Sequence, residues 1–160
     1  MRILVVLALV ASFVFSAITN FVGLGYDDLN IKSTTVCPVK GVTLEKNRDF
    51  IGVVLYTDGA YEIASSPKYT FQTSFVAIKE GKTVKDIFLT DYKTKKLINA
   101  KDAYYVFGST LMSVGGDDII PFISENDANE FFAKNKGKKI FRIDRMNENF
   151  INYLDMRWKQ

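Results

Sequence analysis

One order of elements occurs twice along this chain and restricts its fold more than any other feature. Phe50 to Tyr56 is apolar and β-branched, Thr57-Asp58-Gly59 is a turn, and Ala60 to Ala64 resumes an extended pattern. Two such runs around an Asp-Gly turn predict a β-hairpin. Ser66-Pro67 then opens a helix: the serine hydroxyl can accept from a free N–H of the first turn, and proline fits the first helical position. Tyr69, Phe71, Phe75, Val76 and Ile78 supply an apolar face, Gly81 ends the helix, and Val84 to Tyr92 is a strand. Downstream, Lys96 to Asn99 and Ala103 to Phe107 are strands, Gly108 to Gly116 is a glycine-rich loop, and Ile119 to Phe122 is apolar again. Ser124, with Asp127 three residues on, starts a second helix carrying Ala128, Phe131 and Phe132. Lys136-Gly137 stops it, and Lys138 to Asp144 is a closing strand.

This repetition predicts an α+β protein of two tandem ββαβ units, at about 37–92 and 93–146. No linker rich in Pro, Ser or Gly separates them, so the units are expected to be tightly associated. Phe150, Ile151, Leu154 and Trp158 share one helical face, which predicts a C-terminal helix over 147–160. Residues 17–36 have no period and read as an extended, loosely attached arm.

The first residues predict export. Met1-Arg2 is followed by a short apolar run from Ile3 to Phe15. This is the pattern of a secretory signal peptide over 1–16, with cleavage after Ser16 favoured over cleavage after Ala17. The alternative is an uncleaved N-terminal anchor, its apolar stretch extended through Thr19, Asn20 and Gly25 towards spanning length. Either reading places the domain in the periplasm, with membrane attachment only through its N-terminus.

Composition removes much common chemistry. The chain has no histidine and one cysteine in 160 residues. This excludes Ser-His-Asp and Cys-His catalysis, histidine-ligated metals, Cys-rich zinc sites and an intrachain disulfide. A net charge of +3 is too small and evenly spread to argue for nucleic acid. Gly108 to Gly116 is not a phosphate loop, because no Gly-Lys-Ser/Thr follows.

Two stretches carry a family resemblance. The first is Cys37-Pro-Val-Lys-Gly-Val42 with Asp49-Phe50 and the hairpin through Asp58-Gly59. The second runs from Thr90-Asp91-Tyr92 through Asp102-Ala-Tyr-Tyr-Val-Phe-Gly-Ser109, Gly116, Ile120-Pro-Phe-Ile-Ser124, Ala128, Phe131 and Gly137-Lys-Lys139 to Ile140–Asp144. Over about Cys37 to Met146 the chain resembles the NosL family, accessory proteins of nitrous oxide reductase. The resemblance implies a fold of two ββαβ units, similar to part of organomercurial lyase. It further implies an exported Cu(I) metallochaperone of denitrification that is not an enzyme, with the copper ion and a copper-enzyme apoprotein or copper transporter as partners. Cys37, Pro38 and Gly41 match the family pattern Cys-Pro-x-Cys-Gly-Met, whereas Lys40 replaces its second cysteine and Val42 its methionine. A methionine that usually precedes a glycine in the later loop is Gly115 here.

Cu(I) is soft and favours thiolate and thioether ligands. The resemblance therefore makes Cys37 and Met112 the candidate metal ligands, with Met146 a weaker one. Each has a plainer reading. Cys37 can be an inert buried thiol or can form an intermolecular disulfide, and two chains pooling Cys37 in a homodimer is a further option. Met112 can simply pack beneath its loop. Lys40 would favour thiolate but adds positive charge near a cation. Gly115-Gly116-Asp117-Asp118 lacks the alternating oxygens of a Ca²⁺ loop and reads as a turn with a solvated acidic corner. Lys93, Lys95 and Lys96, echoed by Lys136, Lys138 and Lys139, read as solvated strand edges or as a docking surface for an acidic partner or anionic membrane.

Overall fold

The computed structural model describes residues 19–158. Residues 1–16, read as a signal peptide or the start of an anchor, lie outside the described residues. Two antiparallel sheets form the framework. In the first, β1 (Gly52–Tyr56), β2 (Tyr61–Ala64), β3 (Val84–Thr90) and β4 (Leu97–Asn99) lie in the order β2-β1-β3-β4. In the second, β5 (Tyr104–Phe107), β6 (Ile119–Phe122) and β7 (Lys139–Phe141) lie in the order β6-β5-β7. Helix α1 (Pro67–Lys79) connects β2 to β3, α2 (Glu125–Lys134) connects β6 to β7, and α3 (Glu148–Trp158) follows the second sheet. Each unit has one topology: hairpin, helix, then a strand that returns antiparallel to the first strand of the hairpin. The α+β fold with its repeated ββαβ order is therefore present.

β4 departs from the expected division. It pairs with β3, Phe88 opposite Asn99 and Thr90 opposite Leu97, and so completes the first sheet. The closing strand is also shorter than its apolar pattern: β7 stops at Phe141, and Ile143–Arg145 turns into a 3-10 helix that leads to α3.

Alternate residues of β1 serve different layers. Val54 and Tyr56 pack with Ala77 of α1, while Ile51, Val53 and Leu55 face the segment that precedes the sheet. That segment is not a loose arm. Phe21 and Leu29 are buried against Phe88 and Leu97, and the backbone pairs with the outer edge of β4 through Gly23 N–H to Leu97 O (2.8 Å) and Leu97 N–H to Leu24 O (2.7 Å). Without it the first sheet would expose one apolar face and one unpaired edge. Its lack of period reflects its form, turns and a short 3-10 helix at Tyr26–Leu29.

α1 starts and ends as its sequence dictates. Ser66 Oγ accepts from Tyr69 N–H at 3.3 Å. At the other end Gly81 has φ +85°, with Gly81 N–H bonded to Ile78 O and Lys82 N–H to Ala77 O. This is a Schellman motif, which requires the left-handed backbone that glycine adopts without penalty. The helix's buried face matches expectation at Tyr69, Phe71 and Phe75 and departs from it at Val76 and Ile78. Val76 and Ile78 are 52% and 55% exposed, and the stripe turned inward is Thr70, Thr73, Ser74 and Ala77. The hydroxyls of the first three bond to main-chain oxygens of Ser66, Tyr69 and Phe71, so their burial leaves no donor unpaired. Small side chains let the helix approach the sheet closely. A methyl group on Gly52 would lie 2.3 Å from Thr70 Oγ1 and 2.9 Å from Phe88 O.

The layers meet in a second cluster, where Phe71 of α1, Leu89 of β3 and Ile98 of β4 pack with Tyr105, Ile119, Ile151 and Leu154. A third cluster holds α2 on the other face of the second sheet through Val106, Ile120, Phe122, Ala128 and Phe131. Among the described residues no helix is long and apolar enough to cross a membrane.

Gly52→Ala is expected to destabilise the protein by about 1–3 kcal/mol, since the backbone of β3 cannot retreat from the added methyl. Gly81→Ala meets open space but keeps the left-handed backbone, and should cost roughly 1 kcal/mol. Urea denaturation midpoints of both variants check these costs; an unchanged midpoint for Gly52→Ala would contradict the close helix–sheet contact.

Candidate functional site

The Cys37 loop is a tight reversal. Val36 and Thr43 form an isolated bridge, Cys37 N–H donates to Val42 O and Gly41 N–H to Cys37 O, both at 2.8 Å. Gly41 closes the turn at φ +70°. The reversal sends Pro38, Val39 and Lys40 to the surface and Cys37 inward, where the free thiol is 1% exposed in the cluster of Leu44, Val53 and Tyr69, with Val42 and Val114 packed against it. Cys37 and the glycine-rich loop, far apart in sequence, thus share one core. Lys40 is exposed; the cation that the fold buries is Lys68.

Lys68 is 0% exposed, in the first turn of α1. Its Nζ donates to Gly115 O at 2.6 Å, lies 2.9 Å from an Asp155 carboxyl oxygen on α3, and stands 5.3 Å from the centre of the Tyr69 ring. A buried ammonium is tolerated only with compensation of this kind. Gly115 leaves room for it: a Cβ there would be 3.0 Å from both Lys68 Cε and the Tyr69 ring. The space above position 115 is filled by lysine and tyrosine.

The acidic stretch that follows is buried, not solvated. Asp118, 1% exposed, accepts from Lys68 N–H (2.9 Å), Ile119 N–H (2.8 Å) and Ser113 Oγ (2.6 Å), and bonds the Ser66 hydroxyl. A side chain of the second unit thereby caps the first helix of the first unit, satisfying an N–H that α1 cannot pair internally. Asp117 lies 3.1 Å from Arg157 of α3. Burial pushes the Asp118 carboxyl above the usual carboxylate range, against the lowering effect of its donors and Lys68. Burial, with Asp155 and Asp118 adding negative charge, pushes the Tyr69 phenol up to about 12, so it stays protonated.

The proposed sulfur ligands are differently placed. Cys37 is in the first cluster. Met112 is 48% exposed on the glycine-rich loop, whose Val114 reaches the Cys37 cluster and whose Leu111 packs in the third. Met146 is buried in the second cluster beneath α3, away from Cys37's own. Among the described residues no three Cys, His, Asp or Glu side chains converge as a metal-ligand group. With no histidine in the chain, its soft donors are one thiol and the thioethers, a set that suits a soft cation.

Lys68, Asp118 and Asp155 escape sequence reasoning. A lysine in the first turn of a helix reads as solvated, and Asp155 lies 87 positions away in an amphipathic tail. The stripe of small residues in α1 was the available signal, because it marks where the helix packs closely against the sheet.

Asp155→Ala should cost about 3 kcal/mol by leaving the Lys68 ammonium buried without its carboxylate, and adding Lys68→Met should recover much of the loss. Denaturant unfolding of both variants tests this; equal stabilities would contradict the coupling. For Asp118, a raised folded-state pKa means that folding favours the protonated form. Its contribution is full below the ordinary carboxylate range and is lost as pH rises through the raised value. The stability of the wild type relative to Asp118→Asn should therefore fall as pH rises above the ordinary aspartate value of about 3.9, and a difference that is flat with pH would be the contrary result.

No curated protein sequence matches the chain significantly. Among solved structures, the crystal structure of the copper chaperone NosL from Shewanella denitrificans is similar, with a TM-score of 0.59 at 22% identity, covering 74% of this chain and 94% of that one. That similarity establishes the shared fold. The NosL family model matches residues 28–151, which include both ββαβ units, the Cys37 reversal and the buried Lys68–Asp118 network. The chain belongs to the NosL family.

Proposed function

We propose that this protein is an exported NosL-type accessory protein, not an enzyme, that carries Cu(I) as cargo in the periplasm for maturation of a copper enzyme such as nitrous oxide reductase. The observation that carries the reading is Cys37, a free thiol that the family's fold holds in a constrained reversal beside the glycine-rich loop. Its Sγ is the anchoring ligand, and Met112 Sδ on that loop is the second sulfur. The similarity of the fold to the copper chaperone of Shewanella denitrificans supports the copper reading as a whole. Because Cys37 is buried, the 37–42 reversal must open for cargo to enter or for a thiol partner to react.

A second reading has its own observation. The buried Lys68 ammonium places a positive charge of the protein's own beside Gly115 and Tyr69, which favours a NosL-like interaction module that works without metal. The two readings part in an anaerobic Cu(I) titration against a chromophoric chelator. The copper reading expects binding that Cys37→Ala abolishes and Met112→Leu weakens about tenfold or more. One copper per two chains would assign the site to a homodimer sharing Cys37. Failure of the wild type to bind would overturn the copper reading in favour of the interaction module.

A further inference from the structure

The charges on this protein are unevenly satisfied. Lys93, Lys95 and Lys96, expected to form one exposed run, are each within 4 Å of an acid: Asp127 and Glu130, Asp49, and Asp28 respectively. The later run behaves oppositely. Between Lys134 and Arg145 there are six cations and one acid, Asp144. The ten ion pairs among the described residues involve none of these six cations. β7 runs through the middle of this segment at the edge of the second sheet.

Several of the cations rest on rings. The Arg142 guanidinium lies 4.0 Å over Tyr104, Arg145 lies 5.7 and 5.6 Å from Phe141 and Phe150, and Lys139 Nζ lies 5.7 Å from Phe141. A guanidinium stacked on a ring is held in place with its N–H edges free for a carboxylate. Beside Arg145 and Lys139 opens a cleft of about 550 Å³ lined by Phe107, Phe141, Phe150, Arg145, Asn149 and Tyr153. Arg142 on Tyr104 stands on the opposite face of the sheet, so a strand added along β7 would send alternate side chains to the two. The Phe107, Phe141 and Phe150 rings pack at 5.3–5.8 Å from one another.

We propose that the β7 edge and this cleft form a docking surface for an acidic, extended segment of a protein partner, its carboxylates on Arg142, Arg145 and Lys139 and one apolar side chain in the Phe107–Phe141–Phe150 cleft. Charge complementarity selects the sign of the partner. A concave apolar cleft selects a peptide over a lipid surface, because a bilayer presents no protruding side chain to fill it. Lysines along a sheet edge deter pairing with another ordinary strand, and an acidic strand is the kind that they admit. The surface is independent of Cys37 and of any copper.

The test is fluorescence anisotropy of a short synthetic acidic peptide with one central Phe, titrated with the full protein. The expected result is saturable binding that weakens about tenfold in an Arg142→Gln/Arg145→Gln variant, weakens comparably when the peptide's Phe is replaced by Ser, and falls as salt is raised. Both arginines are exposed, and an unchanged thermal midpoint of the variant confirms that it is folded. No saturable binding overturns the proposal. So does binding indifferent to the peptide's Phe, and so does cosedimentation with vesicles of phosphatidylcholine and phosphatidylglycerol in place of peptide binding.

Discussion

A lysine ammonium with no access to water sits where the two halves of this protein meet, and the surrounding architecture depends on it. Charge can be buried only when hydrogen bonds and an opposite charge replace its water. For Lys68 the replacements come from distant elements: Gly115 O from the glycine-rich loop and Asp155 from the C-terminal helix. The backbone N–H of the same residue is bonded to Asp118 of the second unit. One residue of α1 therefore ties together both ββαβ units and α3. Gln72 reinforces the arrangement through a hydrogen bond to Asp155, and Arg157 through an ion pair with Asp117. Removing any one partner leaves an expensive group unpaired, which makes the units a single cooperative structure.

The same constraint shapes the candidate site. Glycine at 115 and the small stripe of α1 are two faces of one packing solution, close approach where larger residues would collide. Tyr69 joins the solution to Cys37: its ring contacts the lysine on one side and belongs to the thiol's cluster on the other. A soft-metal site built here has one buried thiolate donor and a cation already in residence nearby. At position 115 the space beside a glycine is filled by Lys68 and Tyr69.

The fold was legible in the sequence to the extent that local rules decide it. Ser66-Pro67, Ser124, Gly81 and the Asp58-Gly59 turn punctuate the chain, and their signals are written in adjacent residues. What was illegible depended on distance. Nothing near Phe21 says that it covers Phe88, and nothing near Leu97 says that β4 joins β3. Val76 and Ile78 look like core until Gly52 is placed beneath Thr70. Asp117-Asp118 looks solvated until the start of α1 is brought against it, since burial of a carboxyl is decided by partners 50 residues away. For the site, Cys37 was visible because thiols are rare and chemically distinctive, whereas Lys68 was one lysine among many.

The account stands most directly on copper K-edge X-ray absorption of the anaerobically loaded protein. The proposed site predicts monovalent copper of low coordination number with sulfur scatterers only, and loss of that signal in Cys37→Ala. A first shell dominated by nitrogen or oxygen, or an unchanged sulfur shell without Cys37, would contradict the assignment of this thiol as the protein's copper ligand.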